Sequence, residues 1–124
     1  SFIIYNADAL EIYRTVYICE GAINAETLGE NGIATGGKAV SRWQVNKFIK
    51  SQVEKFIILI DPDAKDKALD LAFKLVPFKK VKVVFLPDNE DVNSLGKQRT
   101  LEYVRETTYQ TYQELLTIKS QLKL

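Results

Sequence analysis

Short β-branched and aromatic runs alternate with runs of helical periodicity. That alternation predicts an α/β fold of βαβ units, with a mainly parallel central sheet of about four strands flanked by helices. Lys55–Ile60 supports this most directly: after its lysine the run is wholly apolar, as in a strand buried on both faces at the centre of a sheet. The 124 residues, 46% of them hydrophobic, suffice for one compact domain with its own core. No repeat, low-complexity tract or Pro/Gly/Ser-rich linker divides them.

Phe2 to Tyr5 reads as a short extended piece, and Asn6 to Leu10 as the start of a brief helix or turn. Thr15 to Cys19 is a buried strand that ends at Glu20 and Gly21. Ala22 to Leu28 follows as a short helix, punctuated by Gly29 and Gly32. Gly32 to Thr35 is a short strand ended by Gly36 and Gly37. Ser41 and Gln44 fit a capping box, in which hydroxyl and amide satisfy orphan backbone N–H groups. The helix they open places Val45, Phe48, Ile49 and Val53 on one face.

Lys55–Ile60 runs straight into Asp61, Pro62 and Asp63, and Asp63 can cap a helix on which Ala68, Leu71, Ala72 and Leu75 recur. Pro77 stops that helix. Val81 to Leu86 is a further strand, ended by Pro87. From Asp91 to Leu124 the chain reads as helices broken near Thr107 to Tyr109. The last of them, around Tyr109, Tyr112 and Leu115, either closes the domain or contacts a partner.

Composition removes several chemistries. The chain has no histidine and one cysteine, Cys19, so an internal disulfide, a zinc site and a Ser-His-Asp or Cys-His nucleophile are all excluded within it. Whatever chemistry it performs uses carboxylates, hydroxyls, lysines, arginines and backbone. The formal charge of +1 argues against a simple polyanion-binding tail, though charge can still be segregated. No apolar run is long enough to span a bilayer and no signal-peptide pattern opens the chain, so no membrane partner is expected. The expected compartment is the reducing cytoplasm. The sequence opens on Ser1 rather than Met, as a piece of a longer chain would.

The candidate chemistry lies just beyond the strands. Glu20 follows the first, Asp61 and Asp63 follow the central one, and Asp91 lies in the loop after Leu86. In an open parallel sheet such positions converge on one crevice. Crowded carboxylates repel one another, so the site needs cations or bound protons. Oxygen ligands without His or Cys suit Mg²⁺ or Mn²⁺, which leave positions for water and phosphate oxygens. Each acid also has a simpler reading alone: Asp63 as a helix cap, Pro62 between aspartates as turn chemistry.

Other features keep two readings. Gly36, Gly37 and Lys38 either present backbone N–H groups and an ammonium to phosphate or form a tight turn. Lys38, Arg42, Lys47 and Lys50 with Trp43 form either a basic stripe beside a nucleic-acid backbone or a solvated helix face. Lys79, Lys80 and Lys82 read as solubility residues of an edge strand. Lys65 and Lys67 stand beside the acidic centre as candidates for phosphate contact or charge balance. Cys19, inside a strand, reads as a small buried hydrophobe.

Together these residues resemble the Toprim family, in which Glu-Gly follows one apolar strand and Asp-x-Asp a second, as Glu20-Gly21 and Asp61-x-Asp63 do here. The details are most similar to primases of the DnaG type, bacterial or phage. Glu20-Gly21 with Ala25 and Leu28, Ala34 to Gly37, Ser41 with Gln44, and Leu86-Pro87 followed by Asp91-Val92-Asn93 resemble successive primase segments. Ile4, Tyr5 and Asn6 with Ala9 resemble the run that precedes them. The resemblance covers Ile3 to Leu95, and it implies a lead-in over 1–14, a Toprim domain over 15–95 and a helical extension over 96–124.

The resemblance also implies roles. Glu20 would be the catalytic acid, as a metal ligand or as general base toward an attacking 3′-hydroxyl. Glu20, Asp61, Asp63 and Asp91 would hold Mg²⁺ or Mn²⁺, with Asn24 and Asn93 as auxiliary oxygens and Tyr5 and Asn6 on the substrate side. The implied activity is that of a DNA primase, a DNA-directed RNA polymerase making RNA primers from NTPs on single-stranded DNA, with a replicative helicase as partner. The fragment alone is expected to be weakly active or inactive. The alternatives are a Toprim nuclease acting on DNA or RNA and a non-catalytic scaffold. Three positions depart from the primase pattern: Asn24 stands where Asp is common, Gly37 replaces a common Thr, and Lys65-Asp66 replaces Ala-Gly.

Overall fold

The computed structural model describes residues 3–37 and 39–124. Four strands, β1 (Thr15–Cys19), β2 (Gly32–Ala34), β3 (Lys55–Ile58) and β4 (Lys80–Val83), form one sheet in the order β2-β1-β3-β4. Every pairing is parallel. The helices are α1 (Ala9–Ile12), α2 (Ala22–Leu28), α3 (Arg42–Lys50), α4 (Lys65–Leu75), α5 (Val92–Leu95), α6 (Lys97–Glu106) and α7 (Tyr112–Leu122). Parallel pairing requires crossovers, and the helices between strands provide them.

Side-chain alternation along the strands makes two cores, one on each face of the sheet. Val16, Ile18, Phe56, Ile58, Val81 and Val83 pack with Phe48 of α3 and Leu71 and Leu75 of α4. Cys19, Ile57, Leu59 and Val84 pack on the other face with Leu28, Leu95 and Val104. Leu115 of α7 is fully buried in the first core, so the last helix closes the domain. Gly32 is required by packing: a Cβ there would stand 2.3 Å from the Ala25 carbonyl oxygen, because α2 lies directly on β2.

Local chemistry explains the element ends. Ser41 and Gln44 make the expected capping box, and the Gln44 amide also donates to the Ile3 and Thr35 carbonyls, joining α3 to the chain's opening segment. Tyr5 forms an isolated antiparallel bridge with Ala34.

Four expectations are corrected. Asp63 caps nothing: Pro62 starts a 3-10 turn, Pro62–Ala64, that carries the chain into α4 without a side-chain cap. Val53 joins the core from beyond the end of α3 rather than from its face. The strands end sooner than their apolar runs, since Leu59, Ile60 and Val84 to Leu86 extend past the ladder toward the site. Finally, Lys79 and Lys82 are not solubility residues. Lys79 donates to the Ser51 and Val53 carbonyls, and Lys82 is buried, donating to the Val104 and Thr107 carbonyls at the end of α6. The edge of β4 is itself closed: Gln110 donates its backbone N–H to Val81, and its side chain bonds both the N–H and the carbonyl of Val83. Phe2, in the expected extended piece, and Lys38 lie outside the described residues.

Candidate metal centre

The parallel sheet delivers the acids to one end. Glu20 leaves the end of β1, and Asp61 follows the extended pair Leu59 and Ile60 beyond β3. Asp61 is the hinge of the site, because it lines two adjacent clefts. One holds Asp61, Asp63, Asp88, Glu90 and Asp91; the other holds Glu20, Gly21, Asn24, Tyr5 and the Gly36-Gly37 turn with Asp61.

The acids act on one another electrostatically. Burial, then the charges of Asp91 and Asp63, raise the Asp61 carboxyl above its ordinary value, and Lys67 opposes them. Burial, then Asp61, raise Glu20, while Lys67 and the Asp61 backbone N–H pull it back and Asp63 adds a smaller upward push. The Cys19 thiol, behind Glu20, is pushed up to about 12 by burial and then by Asp61, which makes it inert. The Lys67 ammonium stands 3.8 Å from Glu20 Oε2 and donates to the Gly37 carbonyl at 3.1 Å.

The other candidates separate. Asp91 caps α5: its Oδ1 accepts from the Ser94 N–H at 2.8 Å, and the Ser94 hydroxyl accepts from the Asp91 N–H at 2.9 Å. That holds one carboxylate oxygen and leaves the other for the cleft. Asn24 is buried and its Oδ1 accepts from the Asn93 N–H at 3.1 Å, tying α2 to α5, so this oxygen serves the fold. Asn6 stands at φ 60° and donates both amide hydrogens, to the Glu30 and Gly32 carbonyls. Tyr5 remains on the cleft wall. Lys65 lies over the Phe85 ring at 5.9 Å. Arg42 is exposed at the start of α3 and lines neither cleft.

Sequence reasoning singled out Asp91 and passed over Asp88, Asn89 and Glu90 on the same wall. The signal was present: an acidic run just after the apolar stretch Val81 to Leu86 and Pro87, with Asn89 turning the chain at φ 64°.

Among the described residues, no three acidic or cysteine side chains are close enough to hold an ion by themselves. The donor set is open, all oxygen and mutually repelling. It fits Mg²⁺ or Mn²⁺, which take one or two carboxylates and complete their shell with water and phosphate oxygens.

No family model and no curated protein matches the sequence. Solved structures do match. The E. coli primase catalytic core superposes over 87% of this chain and 40% of its own, with a TM-score of 0.66 at 20% identity. The chain has the fold of part of the DnaG primase catalytic core. A DnaG catalytic core gives 0.67 over 86% of this chain at 19% identity, and a DnaG primase catalytic domain bound to ssDNA gives 0.73 over 98% at 19%. The chain spans about two fifths of these primase structures, 39% to 43% of their length. The fold expected from the sequence is therefore the fold observed: a four-stranded parallel sheet with flanking helices in the primase-core arrangement.

Proposed function

We propose that this chain is the metal-binding part of a primase-type catalytic domain, supporting nucleotidyl transfer for RNA primer synthesis on single-stranded DNA. The observation that carries the reading is Asp61, shared by two acid-lined clefts at the carboxyl end of a sheet with the primase-core fold. Asp61 and Glu20 are the central ligands of this reading, with Asp63 and the free oxygen of Asp91 beside them. Bound Mg²⁺ or Mn²⁺ would neutralise phosphate charge as a Lewis acid. Around it, Glu20, raised by burial, is suited to hold a proton or a cation, and Lys67 balances the cluster. The Gly36-Gly37 turn lines the Glu20 cleft without side chains.

Cation titration by calorimetry tests this. Mg²⁺ or Mn²⁺ should bind the chain, and Asp61→Asn should weaken binding about tenfold or more, since even loss of an outer-sphere partner costs that much. Primer extension by the chain alone should be weak or absent, since it spans only part of a primase core. No cation binding would favour the scaffold reading. Mg²⁺-dependent cleavage of DNA or RNA, abolished by Glu20→Gln, would favour a nuclease. The NTPs, the RNA primer, a replicative helicase and a cytoplasmic setting belong to this proposal. Among the described residues no helix is long and apolar enough to cross a membrane.

A further inference from the structure

A second charged cluster lies at the opposite end of the sheet. Lys55 and Lys80 begin β3 and β4 and are register partners, so their side chains leave the same face of neighbouring strands. Lys82 follows on that face and is committed to the end of α6. The Tyr109 ring is shared by all three ammoniums, with its centroid 5.7 Å from Lys55, 5.8 Å from Lys80 and 4.6 Å from Lys82. A cation–π contact is weak beside a full counter-charge, so one ring does not balance three ammoniums. Arg105 follows Val104, whose carbonyl accepts from the Lys82 ammonium at 2.8 Å, and its charge acts on Tyr17.

Among the described residues, none of these cations is within 4.0 Å of a carboxylate oxygen in an ion pair. Among the described residues the ion pairs are Arg14–Glu54, Lys67–Glu20 and Lys74–Asp70. Lys80 and Arg105 are exposed and Lys55 is half-buried. Burial raises both Tyr17 and Tyr109, so their hydroxyls stay protonated and able to donate at neutral pH.

We propose that Lys55, Lys80 and Arg105, grouped around Tyr17 and Tyr109, bind the phosphodiester backbone of single-stranded nucleic acid. Cations interleaved with aromatic faces are the surface that such a strand recognises, through phosphate contacts and stacking. An acidic peptide is the poorer fit: strand addition would need the β4 edge, which Gln110 already closes. The site is roughly 20 Å from Asp61, the length of the intervening β3 segment. It deepens the function proposed above, resting on its nucleic-acid substrate but not on the metal centre.

The test is fluorescence anisotropy with a labelled oligo-dT of about 12 nucleotides, in EDTA so that no divalent cation contributes. Lys80→Ala/Arg105→Ala, both at exposed positions, should weaken binding about tenfold and flatten the salt dependence by a log–log slope of about 1.4. The control Lys74→Ala/Lys123→Ala, with equal charge loss elsewhere on the surface, should bind as the original chain does. Circular dichroism checks that each variant is folded. The proposal is overturned if the chain binds no oligonucleotide, if both double variants lose affinity equally, or if polyglutamate competes as well as oligo-dT. The cation titration above stands or falls separately.

Discussion

Lys67 of α4 reaches Glu20 at the end of β1, its ammonium 3.8 Å from Oε2, while donating to the Gly37 carbonyl. A lysine therefore supplies positive charge at the place where the fold collects negative charge. It opposes the upward shift of both Glu20 and Asp61.

If cations occupy the Glu20–Asp61 region, Lys67 competes with them. Lys67→Met keeps the aliphatic stem and removes the charge. Divalent-cation affinity should rise about twofold to fivefold, the size expected of a partly exposed charge contact. The cation-free variant should melt lower. Calorimetry and thermal melting check the two together, and unchanged affinity would sink the idea.

The raised carboxyls set a pH dependence. Glu20 and Asp61 bind protons more readily when folded than when unfolded, so each favours the folded state more as pH falls toward the ordinary carboxylate range. Their contribution is lost as pH rises through their folded values. Melting in EDTA between pH 4 and 8 should show a decline with rising pH that is shallower in Glu20→Gln. Added Mg²⁺ should restore stability at neutral pH and do less in acid.

Gln110 substitutes for a fifth strand along β4. Gln110→Ala leaves the N–H and carbonyl of Val83 without their side-chain partners and should cost about 1–3 kcal/mol in urea unfolding. A neutral effect would mean that the C-terminal segment is not needed to close the sheet.

Gly32→Ala places a methyl group against the Ala25 carbonyl. Overpacking of backbone on backbone costs about 1–3 kcal/mol or more. The loss should exceed that of Gly36→Ala, where no atom stands within 4 Å and only the positive φ resists.

Cys19 should resist alkylation at pH 8 in the folded chain and react fully in denaturant, since its thiol is buried and pushed up to about 12. Rapid labelling of the native protein would contradict the packing behind Glu20.

The parallel sheet, the capping box at Ser41 and the acids beyond β1 and β3 were legible in the sequence because each rests on local periodicity or adjacency. Glu20 and Asp61 follow apolar runs, and a parallel sheet brings such ends together whatever the loops do. What the tertiary structure alone decided depends on partners distant in the chain. Asn6 looks like a substrate contact and Asn24 like an auxiliary ligand until the carbonyls of Glu30 and Gly32 and the N–H of Asn93 engage them. Lys79 and Lys82 look like solvent-facing charges until the chain returns to lay carbonyls over them. A polar side chain carries no mark in the sequence of whether water or a backbone carbonyl will satisfy it, and only the packed fold makes that choice.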